Sequence, residues 1–189
     1  MHIFHLAARA PCLRAPVTST LGSMNTRIQS VCFDWGGTLM SEVGPQDRAM
    51  CYWPDVELLE GVLECIHSLH PKFTLCIATN ATISGHQEIR MALDRGGIGK
   101  YFSHIFCHTD LGTKKDQPEF WDAVARTLGH SLDQVAMVGD SLQYDAIGPR
   151  RFGVQAYWLN RDGQPTEGQE FVPQVASLQH FAAAVSNAA

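Results

Sequence analysis

The sequence predicts a three-layer α/β domain, a parallel five-stranded sheet between helices. Short and nearly continuous apolar runs end abruptly in polar residues, as strands buried on both faces do. Segments of helical periodicity separate those runs, and repeated strand–helix units favour parallel pairing. The 189 residues, 45% hydrophobic and 17% charged, suffice for one such domain with a full core.

The first strand is expected over residues 28–34, where Val31-Cys32-Phe33 runs into Asp34 and a Gly36-Gly37-Thr38 turn. The glycines let backbone N–H groups come close to a bound anion, because no Cβ intervenes. A loop rich in Gly, Pro and acid continues through Pro54, after which Val56, Leu59, Val62, Leu63 and Ile66 mark one helix face. Residues 73–79 form the second strand. Ser84 with Gln87 reads as a capping box opening a helix that Gly96-Gly97 stops. Residues 104–108 make a short third strand. Pro118 suits the first position of a helix carrying Phe120, Trp121, Val124 and Leu128, which Gly129 ends. The fourth strand covers 135–139, a helix 143–152, the fifth strand 154–159 and a last helix 178–185. No internal repeat or low-complexity tract is present.

Residues 1–23 hold Arg9 and Arg14 and no acid, unlike the rest. They read as an extension preceding a domain over 24–189; a transit or signal peptide would show the same bias. Their apolar patch is too short to span a bilayer. The formal net charge is −5 with no basic stripe, so neither nucleic acid nor an anionic membrane is an expected partner. Six cysteines lack any Cys-x-x-Cys pair, and Cys32 and Cys76 sit inside strand-like runs. They read as reduced core residues of a cytoplasmic protein. Nine histidines follow no zinc-ligand spacing.

The polar residues at the strand ends carry the chemistry. Strand one ends in Asp34, strand two in Thr79-Asn80, and strand four in Gly139-Asp140-Ser141, with Asp145 following. Lys114-Lys115 lies between strands three and four. Right-handed crossovers bring these ends to one rim. Carboxylates, a hydroxyl and a lysine gathered there suit a phosphate held beside Mg²⁺, which takes one or two carboxylates plus waters and substrate oxygens.

Across residues 28–161 the chain resembles the haloacid dehalogenase-like hydrolase superfamily. Asp34-Trp35-Gly36-Gly37-Thr38 matches the family's Asp-x-Asp-Gly-Thr at every fixed position but one. Thr79-Asn80 matches its second motif. Lys115 in Lys-Asp-Gln-Pro-Glu-Phe-Trp is similar to the third, with Lys114 the alternative, and Gly139-Asp140-Ser141-Leu142-Gln143-Tyr144-Asp145 is similar to the fourth. A receiver domain also places Asp, Thr and Lys at strand ends, but needs an acidic pair near the first strand, absent here. The resemblance implies a Rossmann-like fold. Asp34 would be the nucleophile forming an aspartyl-phosphate, with Thr79 and Lys115 on the phosphate oxygens. Gly36, Gly37 and Asn80 would complete the phosphate cradle. Mg²⁺ would be held by Asp34, Asp140, Asp145 and the backbone carbonyl of Gly36.

Gly36 departs from the family. Its phosphatases carry a second Asp there, as acid to the leaving group and then base to water. Such help is worth about 10²–10⁴-fold, so its loss would slow alkyl ester hydrolysis; Glu42 is a candidate substitute donor. Relatives that break carbon–halogen or carbon–phosphorus bonds also lack this Asp, but carry a large helical cap. Asp34 and Thr79 are 45 positions apart and Thr79 and Lys115 are 36 apart, intervals that core elements fill, so no large cap is expected. The resulting expectation is a Mg²⁺-dependent phosphatase with an open site and a small phosphorylated substrate, and a protein partner or second copy near that site. A phosphate- or protein-binding module without turnover and a metal-independent dehalogenase-type hydrolase are the alternatives.

Overall fold

Along the central strands, side chains alternate strictly between two cores, and that period of two makes the sheet the middle layer. Val31, Phe33, Leu75, Ile77, Ala136 and Val138 face one core, whereas Cys32, Cys76, Ala78, Val135 and Met137 face the other. The computed structural model describes residues 27–166, 168 and 171–187; the expectations for residues 1–23 lie outside these.

In chain order the elements are β1 (Ser30–Phe33), α1 (Val62–Leu69), β2 (Thr74–Thr79), α2 (His86–Arg95), β3 (Phe102–Cys107), α3 (His108–Leu111), α4 (Pro118–Leu128), β4 (Val135–Gly139), α5 (Gly148–Arg150), β5 (Gln155–Leu159), β6 (Gln174–Val175) and α6 (Leu178–Asn187). The strands lie in the order β3-β2-β1-β4-β5-β6, and every neighbouring pair is parallel. Helices α1, α2 and α6 cover one face, and α4 covers the other through Phe120, Trp121 and Val124. On the first face, the Phe33 ring meets Phe102 and Phe181 edge-on, with centroids 6.1 and 5.9 Å away. Five cysteines (32, 51, 65, 76 and 107) are free and buried in these cores. Among the described residues no helix is long and apolar enough to cross a membrane.

The fold is the expected Rossmann-like α/β sandwich, with local corrections. The sheet has six strands, because the two-residue β6 pairs with the end of β5; so short a strand carries no alternating pattern to read. The first helix begins at Val62, later than the apolar pattern from Val56 suggested. Leu58 instead bridges antiparallel to Met40, and the Leu59 N–H donates to the Leu39 carbonyl at 2.9 Å. Gly61 then takes φ +79°, a left-handed conformation that no preceding helical turn could share. Leu63 consequently faces solvent. Helix α2 is capped one residue later than expected, with Glu88 Oε2 accepting the Gly85 N–H at 3.1 Å; Ser84 is buried instead. The helix expected at 143–152 starts as a π turn over Leu142–Ile147 before α5. Helix α3, only four residues long, was not foreseen.

The segment between β1 and α1 is a loop closed at its base. Besides the Met40–Leu58 bridge, the Ser41 N–H donates to the Glu57 carbonyl at 3.0 Å. Within it, Met50, Cys51 and Trp53 turn inward onto the core. Arg95, in the last turn of α2, donates to the carbonyls of Cys51, Trp53 and Pro54 at 2.8, 2.6 and 2.8 Å. Those carbonyls have no strand or helix to satisfy them, so one guanidinium does the work of a local ladder. Replacing Arg95 by Ala should therefore cost about 1.5–3 kcal/mol and make residues 42–53 the first site of limited proteolysis, with strand and helix content by circular dichroism unchanged.

Candidate active site at the carboxyl rim

Strand order reverses between β1 and β4, and the carboxyl ends of such adjacent strands border the crevice where open α/β sheets bind ligands. Asp34 follows β1 and Asp140 follows β4 at that crevice; Thr79 closes β2 beside them. Lys115 arrives from the loop between α3 and α4, and its ammonium is buried, only 1% of the residue remaining exposed. All three ammonium protons have acceptors. They go to Asp34 Oδ1 at 2.5 Å, Asp145 Oδ1 at 2.6 Å and the Ala78 carbonyl at 3.0 Å. Its backbone is pinned as well: the Lys115 N–H donates to Asn80 Oδ1 and Trp121 Nε1 donates to the Lys115 carbonyl. Lys115, and not Lys114, is thus the lysine that reaches Asp34; the Lys114 N–H is spent on Gln117.

Asp145 sits in the π turn, nearly inaccessible. Its second oxygen accepts the Ser141 N–H at 2.9 Å, while its own N–H donates to the Ser141 carbonyl. Both carboxylate oxygens are therefore engaged. Asp140 is tied to β1 by Thr38, whose hydroxyl donates to Asp140 Oδ1 at 3.0 Å and accepts the Asp140 N–H at 3.1 Å. Thr38 lies 3.5 Å from Asp34 Oδ2, a weak contact that leaves this oxygen the freer of the two. Behind the turn, Arg161 donates to the carbonyls of Gly37 and Thr38 at 2.6 and 2.8 Å. Nothing local in the sequence marked Arg161, which is 124 residues from Gly37 and meets it only through the topology.

The ammonium is paired with two carboxylates, Asp34 and Asp145, and Asp140 completes a group whose three members each have an oxygen within 4.8 Å of the others. Burial pushes the Asp34 carboxyl up to about 7; Lys115 pulls against this, and Asp145 and Asp140 add to it. Burial likewise raises Asp145 against the same pull. For Lys115, burial opposes the charged form, but Asp145 and Asp34 more than offset it and the ammonium is held above its ordinary range. Lys115 is the buried cation of this cluster, and the Arg161 guanidinium also interacts with Asp140. The hard oxygens of Asp34 and Asp140 suit Mg²⁺. Asp145, the third member of this carboxylate group, also holds Lys115 and the Ser141 amide.

A cavity of about 360 Å³ opens over Asp34, walled by Trp35, Met50 and Trp53 on one side and by Ile83 and Tyr144 on the other. Met50 and Trp53 come from the loop after β1, Ile83 from the loop after β2 and Tyr144 from the π turn. Thr79 Oγ accepts the Ala81 N–H at 3.2 Å, leaving its hydroxyl proton available, and Asn80 Nδ2 is buried without a partner. The two glycines differ. Gly37 has φ +72°, and a Cβ there would come 2.6 Å from Asp140 Oδ2; its N–H donates to the Met40 carbonyl. It serves the turn, so its amide is not free to hold an anion. Gly36 faces Glu42: a Cβ would lie 2.8 and 2.9 Å from the Glu42 Cδ and Cγ, with Oε1 closer still. Loss of hydration against this backbone, with Asp140 nearby, raises the Glu42 carboxyl.

The sequence profile of the haloacid dehalogenase-like hydrolases matches residues 42–153. Over 143 residues, 75% of this chain, it is 26% identical to the HAD-hydrolase YfnB of Bacillus subtilis, and over 106 residues, 55% of the chain, 30% identical to the pyrimidine 5'-nucleotidase PynA of Streptococcus pneumoniae. Those alignments span 60% of YfnB and 44% of PynA. The crystal structure of YfnB bound to magnesium superposes with a TM-score of 0.69 at 17% identity, over 84% of this chain and 99% of that one. A 2-haloacid dehalogenase from Pseudomonas syringae superposes at 0.72 and 16% identity, over 86% and 100%. At these identities the two structures are similar in fold.

The buried ion cluster sets a pH dependence. Asp34 is held near 7 in the folded protein, above its ordinary 3.8, so between these values the folded state binds more protons than the unfolded chain. Its contribution to stability is present below about pH 4 and is lost as pH rises through 7. Lys115→Met removes the buried cation paired with Asp34 and should steepen this decline: about 3–5 kcal/mol lost at pH 8 and less at pH 5, read from urea midpoints in metal-free buffer.

Proposed function

Because the chain belongs to the haloacid dehalogenase-like hydrolase family, we propose that it is a Mg²⁺-dependent phosphohydrolase that works through an aspartyl-phosphate on Asp34. The observation that carries this is the ammonium of Lys115 fixed between Asp34 and Asp145, beside Asp140, at the floor of an open cavity. Lys115 occupies Asp34 Oδ1, so Oδ2 is the oxygen presented to phosphorus. Asp34 and Asp140 would hold Mg²⁺, with the Gly36 carbonyl; the ion would neutralise phosphate charge when bound. The Thr79 hydroxyl proton and the Asn80 amide are the donors offered to the phosphate oxygens, in a site where donors need no reorganisation. Their fixed geometry, rather than closure of a lid, does the positioning.

Among the described residues, the interval between β1 and β2 holds a loop, one 3-10 turn and α1, and the interval between β2 and β3 holds only α2 and a 3-10 turn. An uncapped site supports water as the second substrate and disfavours chemistry that must exclude it. The substrate would be a small phosphate ester or acyl phosphate, its leaving group lying against the Trp35, Met50 and Trp53 wall. The similarity to PynA agrees with a phosphorylated small molecule. Five unbridged cysteines are in keeping with a reducing, cytoplasmic setting.

A panel of phosphate esters assayed with and without Mg²⁺, beside Asp34→Asn, tests this reading. Hydrolysis should need both the metal and Asp34. Carbon–halogen hydrolysis that survives chelation would replace it with the dehalogenase alternative; phosphate binding without turnover would replace it with the binding module. Independently of activity, Mg²⁺ should stabilise the fold, by about 2.7 kcal/mol at a hundredfold excess over its Kd. Asp140→Ala should abolish that rise in melting temperature.

A further inference from the structure

Phosphoryl transfer from an alkyl ester expels an alkoxide, which leaves far more readily with a proton from a positioned acid. Four carboxylates border the cavity: Asp34, Glu42, Asp140 and Asp145. Three are already committed. Asp34 carries the nucleophilic oxygen, Asp145 has both oxygens bonded to Lys115 and the Ser141 N–H, and Asp140 is held by Thr38. Among the described residues no histidine lines the cavity.

Glu42 is the remaining one, and among the described residues its carboxylate meets no hydrogen-bond donor. Its side chain lies across the Cα of Gly36, where a Cβ at position 36 would have to displace it. A carboxylate can thus stand over this part of the site from position 36 or from position 42, but not from both with Glu42 as it lies. Gly36 is the residue that makes room. The loop that carries Glu42 is held: Gln46 Nε2 donates to the Glu42 carbonyl at 3.0 Å, and the base of the loop is bridged at Met40 and Leu58.

Resting on the phosphohydrolase reading above, we propose that Glu42 is a catalytic residue, the carboxyl that exchanges protons with the leaving group and then with water. In the first half, a bond forms between Asp34 Oδ2 and phosphorus while the ester P–O bond breaks. The electron pair stays on the departing oxygen, which takes the Glu42 proton and leaves as an alcohol. In the second, water attacks phosphorus and gives a proton back to Glu42. The P–O bond to Asp34 breaks, its electron pair returning to the carboxylate, and inorganic phosphate departs. Ester and water are consumed, alcohol and phosphate formed, and Glu42 ends as it began.

The test is a series of aryl and alkyl phosphates of graded leaving-group basicity, assayed on wild type, Glu42→Gln, Glu42→Ala and the exchange variant Glu42→Ala with Gly36→Asp. Glu42→Gln should lose about 10²-fold or more in kcat/KM on alkyl phosphates, and only a few-fold on p-nitrophenyl phosphate, whose leaving anion needs no proton. The exchange variant should recover alkyl turnover relative to Glu42→Ala alone. Equal losses on aryl and alkyl substrates, or no loss on either, would overturn the proposal. So would disappearance of the Mg²⁺-induced rise in melting temperature in Glu42→Gln, which would make Glu42 a metal ligand. Wild type inactive even on p-nitrophenyl phosphate with Mg²⁺ would instead sink the phosphohydrolase reading, and Glu42's role with it.

Discussion

The rim is organised by one buried ammonium. A lysine taken out of water is costly unless each proton finds an acceptor, and Lys115 finds three, two of them carboxylates. Those bonds reach β1, β2 and the π turn after β4, so the ion that neutralises the site also ties together the strands that build it. The packing below explains why this holds. Trp121, at the heart of the second core, donates its indole N–H to the Lys115 carbonyl and fixes where the lysine starts. The arrangement that satisfies Lys115 also sets oxygens of Asp34, Asp140 and Asp145 within 4.8 Å of one another at the rim.

The architecture was largely legible in the sequence, since β1, β2 and β4 are buried on both faces and appear as unbroken apolar runs. Helix α4 was equally readable, because Pro118 opens it and Gly129 ends it. What failed was decided by tertiary contacts. The apolar pattern from Val56 to Leu59 has the spacing of a helix, but those residues seal the base of a loop against Met40 and Leu39. β6 is too short to show any period.

At the site, the topology brings Asp34, Thr79 and Asp140 at or just after strand ends to one edge, where Lys115 from the loop before α4 and Asp145 from the π turn join them. One assignment changed in a way only geometry could supply: Gly37 spends its amide on the turn, which leaves it unable to hold an anion. The Arg161 clamp was illegible, since its partners are far away in the chain and no spacing encodes them.

The loop from Met40 to Leu58 is fastened at its base by a bridge and along its far side by Arg95, while its tip near Val43 is exposed. Its two ends are held together whatever lies between them, and lengthening a loop whose ends already meet costs little: each doubling adds about 0.6 kcal/mol. It therefore behaves as a cassette. Chain can be added at the exposed tip without disturbing the strands or the ion cluster, whereas Gln46, which holds the Glu42 carbonyl, and Gly44, packed on Trp53, tie the rest of the loop to the site.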